Sequence, residues 1–68
     1  MEEFAKKLKE LRKEKNISLI QLENAVGISK SSISDWENGK SIPNAKAVVA
    51  LAKFFEVSTD YLLGLTDF

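Results

Sequence analysis

The feature that most limits how this chain can fold is a repeated pattern: an apolar residue, a serine, three residues, and a second apolar residue. It occurs as ISLIQL at 17–22, ISKSSI at 28–33 and VSTDYL at 57–62. A serine hydroxyl accepts a hydrogen bond from an unpaired amide in a helix's first turn, and the flanking apolar pair can close over that turn as a hydrophobic staple. The pattern therefore predicts three helices, which begin at Ser18, Ser29 and Ser58.

The ends of the helices are predicted by glycines, and two further helices by apolar spacing. Each of the three glycines can adopt the left-handed backbone conformation that ends a helix, at Gly27, Gly39 and Gly64. Phe4, Leu8 and Leu11 recur at helical spacing, which predicts a first helix that ends near residues 15–16. A fourth helix is expected from Asn44, just after Pro43, to about Phe55.

These elements predict an all-α fold, a compact bundle of five short helices in one domain over residues 1–68. No stretch of the sequence favours a strand. Only GIS at 27–29 separates the second helix from the third, and two helices joined by so tight a turn cross steeply. The second and third helices are therefore predicted to form a helix-turn-helix unit.

Composition excludes several classes of protein. The chain has no cysteine and no histidine, so a disulfide and a zinc site with the usual ligands are both excluded. No apolar run approaches the roughly 20 residues of a membrane helix, and the charged start lacks the apolar core of a secretory signal. Nothing places a base beside a nucleophile or a glycine loop around a phosphate. We expect a cytoplasmic protein that is not an enzyme and that needs no cofactor, metal or small-molecule ligand.

Charge gives no overall argument for nucleic acid, because ten basic residues balance ten acidic ones. Six of the ten bases fall within residues 6–15, where a solvated helix face is the preferred interpretation. Any affinity for a polyanion must therefore come from the arrangement of residues and not from net charge.

The stretch QLENAVGISKSSISDWENGK resembles the Cro/phage-repressor (XRE) family of helix-turn-helix DNA-binding domains. The resemblance extends to the first amphipathic helix and to FFEVSTDYLLG near the end. It implies a five-helix bundle whose third helix enters the major groove of double-stranded DNA. It also implies a sequence-specific transcriptional regulator, most often a repressor, that works as a homodimer on a pseudo-palindromic operator.

The resemblance implies two sets of DNA-binding residues. The first set would lie at or near base edges: Lys30, Ser31, Ser32, Ser34 and Asp35. The second set would contact phosphates: Ser29, Asn38, Lys40 and Ser41, with Lys46 as a weaker candidate. Lysine, serine and carboxylate can each bond base edges, and a carboxylate accepts from cytosine N4. Two interpretations of Asp35 stay open, selection of cytosine and simple repulsion of DNA.

The same pattern pairs Arg12, the only arginine, with Glu37, which would tie the first helix to the end of the third. A guanidinium suits a two-pronged bond to a carboxylate better than an ammonium does. Trp36 is expected in the core and not as a platform for stacking bases. Two positions besides Asp35 depart from the family pattern: Leu19 stands where glutamine is frequent, and Glu23 where a small residue is usual.

Two alternatives remain open from the sequence. Net neutrality and the apolar pair Leu19 and Ile20 also suit a protein-interaction or antitoxin-like module of the same fold. Leu65 and Phe68, which follow the last clear helix, suit a dimer contact, a connection to a further domain, or a frayed tail.

Overall fold

The computed structural model describes residues 2–67, and over that range the chain forms five helices with no strand. These are α1 (Glu2–Glu14), α2 (Leu19–Val26), α3 (Lys30–Glu37), α4 (Ala45–Phe55) and α5 (Thr59–Leu62). The predicted all-α bundle of five short helices is confirmed.

Four of the helices begin at side-chain caps. Ser18 Oγ accepts from the Gln21 amide at 3.1 Å, and Gln21 Oε1 accepts in return from the Ser18 amide at 2.7 Å, which completes the predicted capping box. Three further caps accept in the same way at the starts of α3, α4 and α5: Ser29, Asn44 and Ser58. The four predicted starts are thus cap residues, and the first helical residue follows each of them.

Left-handed residues end the helices, but not all of them are glycine. Gly27, with φ of 73°, caps α2, and Gly39, with φ of 72°, follows the last residues of α3. α4 ends at Glu56, whose φ of 58° is also left-handed, and the chain after α1 turns at Asn16 with φ of 56°. The sequence predicts where these two helices end, but nothing in it marks Glu56 as a left-handed residue.

The core lies where all five helices meet. Six large side chains are fully buried: Phe4, Leu8, Leu22, Ile33, Leu51 and Leu62. Trp36 is 8% exposed, and its ring meets that of Phe4 edge-on at 6.3 Å between centroids. Trp36 is therefore a core residue, as expected. Since Ile33 and Trp36 hold one face of α3 against the core, the opposite face of that helix is presented outward.

α5 is only four residues long and packs closely on α1. Gly64 follows it with φ of 80°, and a Cβ there would lie 2.5 Å from the Cβ of Glu3. Lys7 Nζ lies 4.7 Å from the centroid of the Tyr61 ring, a cation–π distance. The close approach at Gly64 makes that position intolerant of any side chain.

Candidate nucleic-acid interface

The exposed face of α3 carries four of the five residues predicted at base edges. Lys30, Ser31, Ser34 and Asp35 line one shallow depression together with Leu19 from α2. Lys30, Ser31 and Asp35 are exposed, and Ser34 is half-buried. Because the spacing of these four places them on one side of a helix, they form a continuous row, which we call the reading face.

Ser32 is the exception among the five. It lies one turn before Trp36 on α3, so it shares the side of the helix that turns toward the core. It lines a different depression, beside the turn at Gly27 and the start of α4, where Asn44 and Lys46 also lie. The structure therefore separates Ser32 from the reading face and places it with Lys46, the weaker phosphate candidate.

The predicted phosphate contacts lie at the two ends of α3. Ser29 caps the start, and its Oγ lies 3.0 Å from Ser32 Oγ. At the other end, Asn38 Nδ2 donates to Ser34 O at 2.9 Å and to Ser34 Oγ at 3.3 Å. Lys40 and Ser41 are exposed after the turn, and the Lys40 amide donates to Asp35 O at 2.8 Å. Asn38 and Lys40 are thus held against the last turn of the helix.

Arg12 and Glu37 meet as the sequence predicts. Arg12 Nε donates to Glu37 Oε2 at 2.7 Å, and Arg12 Nη2 donates to Glu37 Oε1 at 3.0 Å, so the bond is two-pronged. Arg12 Nη1 donates to Ile17 O at 2.9 Å. The hydrogen bond to Glu37 raises the pKa of Arg12 above its ordinary value, although burial opposes the rise. Glu37 therefore fixes α3 to α1, and its charge does not belong to the reading face.

Glu23 contacts the start of α3, a contact that the sequence did not predict. Its Oε1 accepts from the Lys30 amide at 3.0 Å, across the turn between α2 and α3. The Glu23 side chain is half-buried and is bonded to the backbone of the other helix. The sequence gives one indication, an acid at a position where the resemblance implies a small residue, and that acid could either point outward or find a partner.

The starts of three helices are electrostatically alike. α2, α3 and α4 have no acidic residue in their first turns, whereas α1 has Glu2 and Glu3 there. The start of a helix carries a partial positive charge and unpaired amides, which favour anions. In α4 the first turn holds a cation, Lys46, beside Ser32. The starts of α2 and α4 are therefore suited to negative charge, whereas the start of α3 already has the carboxylate of Glu23 beside it.

The pair α2–α3, joined by a short turn at Gly27, with a capped third helix that presents one face outward, defines a helix-turn-helix domain. Residues 8–62 match the helix-turn-helix family model, and the chain belongs to that family. The resemblance to Cro and phage repressors is therefore confirmed.

Several curated relatives cover nearly the whole chain. The HTH-type transcriptional activator BcrR of Enterococcus faecalis is 43% identical over 62 residues, which are 91% of this chain and 30% of that protein. The HTH-type transcriptional regulator AnsR of Bacillus subtilis is 41% identical over 58 residues, 85% of this chain and 50% of that protein. The chain thus spans at most about half the length of these relatives.

A solved structure shares the fold. A crystal structure of the P22 c2 repressor in complex with a synthetic operator superimposes with a TM-score of 0.86 at 33% identity, over 93% of this chain and 96% of that one. The curated repressor protein C2 of Salmonella phage P22 is 36% identical over 60 residues, 88% of this chain and 28% of that protein.

Among residues 2–67, no helix is long and apolar enough to cross a membrane.

Proposed function

We propose that this protein is a non-enzymatic, cytoplasmic transcriptional regulator, a repressor, that binds double-stranded operator DNA with α3 in the major groove. The observation that carries the proposal is the reading face: Lys30, Ser31, Ser34 and Asp35 lie together on the outward side of a helix whose other side is buried. Similarity to the P22 repressor, which was crystallised with an operator, supports it.

The chemistry of the reading face suits base edges. Lys30 can donate to guanine O6 and N7, and serine can donate or accept. Ser34 Oγ accepts from Asn38 Nδ2, so its own proton is left to donate outward. The Arg12–Glu37 bond holds α3 at one angle to α1. A rigid helix that presents a short row of polar groups is the geometry that groove recognition requires.

The test is the salt dependence of binding to a fluorescent random duplex, measured by anisotropy from about 50 to about 200 mM salt. If Lys40 and Lys46 each neutralise one phosphate, the slope of log K against log salt is about −1.8 per monomer. Lys40→Ala should reduce the slope by about 0.9, whereas Lys53→Ala, at an exposed lysine in the last turn of α4, should leave it unchanged. Absence of binding to any duplex at the lowest salt would refute the proposal.

Asp35 is the residue that distinguishes base selection from repulsion. Selection of operators from a random duplex library with the wild type and with Asp35→Ala compares the preference at every position. If Asp35 accepts from cytosine N4, the variant loses preference at one base pair, a change of about 1–3 kcal/mol. If Asp35 only repels DNA, the variant binds every sequence more tightly and by the same factor.

We also propose a homodimer as the working form. Two reading faces spaced by about one DNA turn, roughly 34 Å, would meet two half-sites of a pseudo-palindrome. Leu65 supports an apolar contact near the end of the chain, because it is 74% exposed. Phe68, the other predicted contact, lies outside the described residues. Sedimentation of the wild type and of Leu65→Ser, with and without operator, tests this assignment.

A protein-interaction module is the second candidate. Ile20 on α2 favours it, because this large apolar side chain is 53% exposed beside the half-buried Leu19. The random-duplex titration decides between the two candidates. Binding that weakens with salt favours the regulator, and no binding at low salt and high protein concentration favours the interaction module.

A further inference from the structure

Glu23 occupies the place at the start of α3 where an anion would bind. The first turn of α3 contains no acid of its own, yet Glu23 from α2 brings a carboxylate oxygen to 3.0 Å from the Lys30 amide. A carboxylate in this position gains from the unpaired amides and from the partial positive charge of the helix start. The start of α3 therefore has a negative charge beside it even in the absence of DNA.

Most first-turn amides of α3 already have acceptors within the protein, so few are left to bind a phosphate. The Lys30 amide donates to Glu23, and the Ser32 amide donates to Ser29 Oγ at 3.2 Å. Within residues 2–67, the Ser31 amide is left without an acceptor. A DNA phosphate that approached this end would find one free amide, and it would also meet the charge of Glu23.

We propose that Glu23 is an affinity-limiting residue, whose carboxylate occupies the Lys30 amide in place of a DNA phosphate and weakens binding to every sequence. This inference rests on the proposed DNA-binding function. It assigns Glu23 a role that differs from that of Asp35, because Glu23 acts on the phosphate contact at the helix start and not on a base edge.

Two substitutions separate the effect of the Glu23 charge from the effect of its hydrogen bond to the Lys30 amide. Glu23→Gln keeps an oxygen that can accept from Lys30 but removes the charge, whereas Glu23→Ala removes both. We expect Glu23→Gln to bind a random duplex about two- to fivefold more tightly at low salt, because the repulsion of a phosphate is lost. Glu23→Ala should bind about three- to tenfold more tightly, because it also frees the amide.

Glu10→Gln is the matched control. It makes the same change of charge at an exposed side chain of α1. Its affinity should stay within about twofold of the wild type, since Glu10 makes no bond to α3 and salt screens an exposed charge. The gain of Glu23→Gln should shrink at higher salt, whereas the difference between Glu23→Ala and Glu23→Gln should persist, because it comes from a direct contact.

A measurement without DNA tests whether Glu23 keeps phosphate away from the Lys30 amide. Inorganic phosphate is added at constant ionic strength, with chloride as the balancing ion, and the amide signals of Lys30 and Ser31 are followed by NMR. They should shift with phosphate in Glu23→Ala and stay in place in the wild type. If Glu23→Ala does not fold, Glu23→Gln takes its place in the affinity comparison, and its gain over Glu10→Gln decides the outcome.

Each result has a defined meaning. If the wild type binds DNA and both Glu23 variants bind it equally well or more weakly, Glu23 does not limit affinity, although the proposed function stands. If neither the wild type nor the variants bind any duplex at low salt, the proposed function fails. In that case the phosphate titration still decides whether Glu23 excludes an anion from the Lys30 amide.

Discussion

The Arg12–Glu37 bond gives the most direct test of how α3 is held. Three hydrogen bonds converge there, two from Arg12 to Glu37 and one from Arg12 to Ile17 O. The side chains are only 14% and 4% exposed, so water screens the pair weakly. We therefore propose a double-mutant cycle with Arg12→Ala, Glu37→Ala and the double variant. The coupling energy is the difference between the stability lost in the double variant and the sum of the losses in the two single variants.

The structure sets the order of the losses. Arg12→Ala removes all three bonds and leaves the carboxylate of Glu37 buried without its cation, so we expect a loss of about 2–4 kcal/mol in the free energy of unfolding. Glu37→Ala should cost about 1–3 kcal/mol, because Arg12 keeps its bond to Ile17 and is closer to water. Their coupling should be about 1.5–3 kcal/mol. A domain of this size has about 3–10 kcal/mol in total, so Arg12→Ala removes a large part of it.

Urea unfolding followed by Trp36 fluorescence measures these values, because Trp36 is the only tryptophan and lies in the core next to Glu37. Far-UV circular dichroism provides the second probe that a two-state analysis needs. Lys13→Ala, at an exposed position beside Arg12, is the control and should change stability by less than about 0.5 kcal/mol. A coupling below about 0.5 kcal/mol would refute the reasoning, since the two side chains would then act independently.

Three further predictions concern the backbone, and urea midpoints check all of them. Gly64→Ala should lower the free energy of unfolding clearly more than Gly27→Ala does. Both glycines are left-handed, but only the new methyl group at Gly64 meets Glu3. Equal losses of stability would contradict the close approach of Gly64 to Glu3. Glu56→Gly should stabilise the protein by about 0.5 kcal/mol, because a non-glycine residue is strained at φ of 58°. A lower urea midpoint would show that the Glu56 side chain itself stabilises the fold. Ser18→Ala should cost about 1 kcal/mol, and an unchanged midpoint would mean that water replaces the cap.

The sequence predicts best what local chemistry decides. Ser18, Ser29 and Ser58 were identified as helix starts because a cap and its target amide lie within three residues of each other. The reading face follows from the resemblance, whereas Ser32, which the resemblance implies beside it, lines a different depression near the start of α4. Its spacing of four from Trp36 already indicates that the two share a side of α3.

Contacts that depend on the path of the chain could not be predicted from the sequence. Glu56 is left-handed between two residues that pack into the core, Phe55 and Val57, so tertiary packing imposes a conformation that its residue type disfavours. The bond from Glu23 to the Lys30 amide joins two helices, α2 and α3, so it forms only once the chain has brought them together. Neither residue carries a local signal that specifies its partner or its backbone conformation.

The reading face has a consequence for how such a domain could acquire a new target. Lys30, Ser31 and Asp35 are exposed, and their side chains lie outside the hydrophobic core. Substitution at such positions usually changes stability by no more than about 0.5 kcal/mol. A lineage could therefore exchange these three residues step by step and pass through folded proteins throughout. The scaffold would remain constant while its preferred operator diverged, so two descendants in one cell could control separate genes.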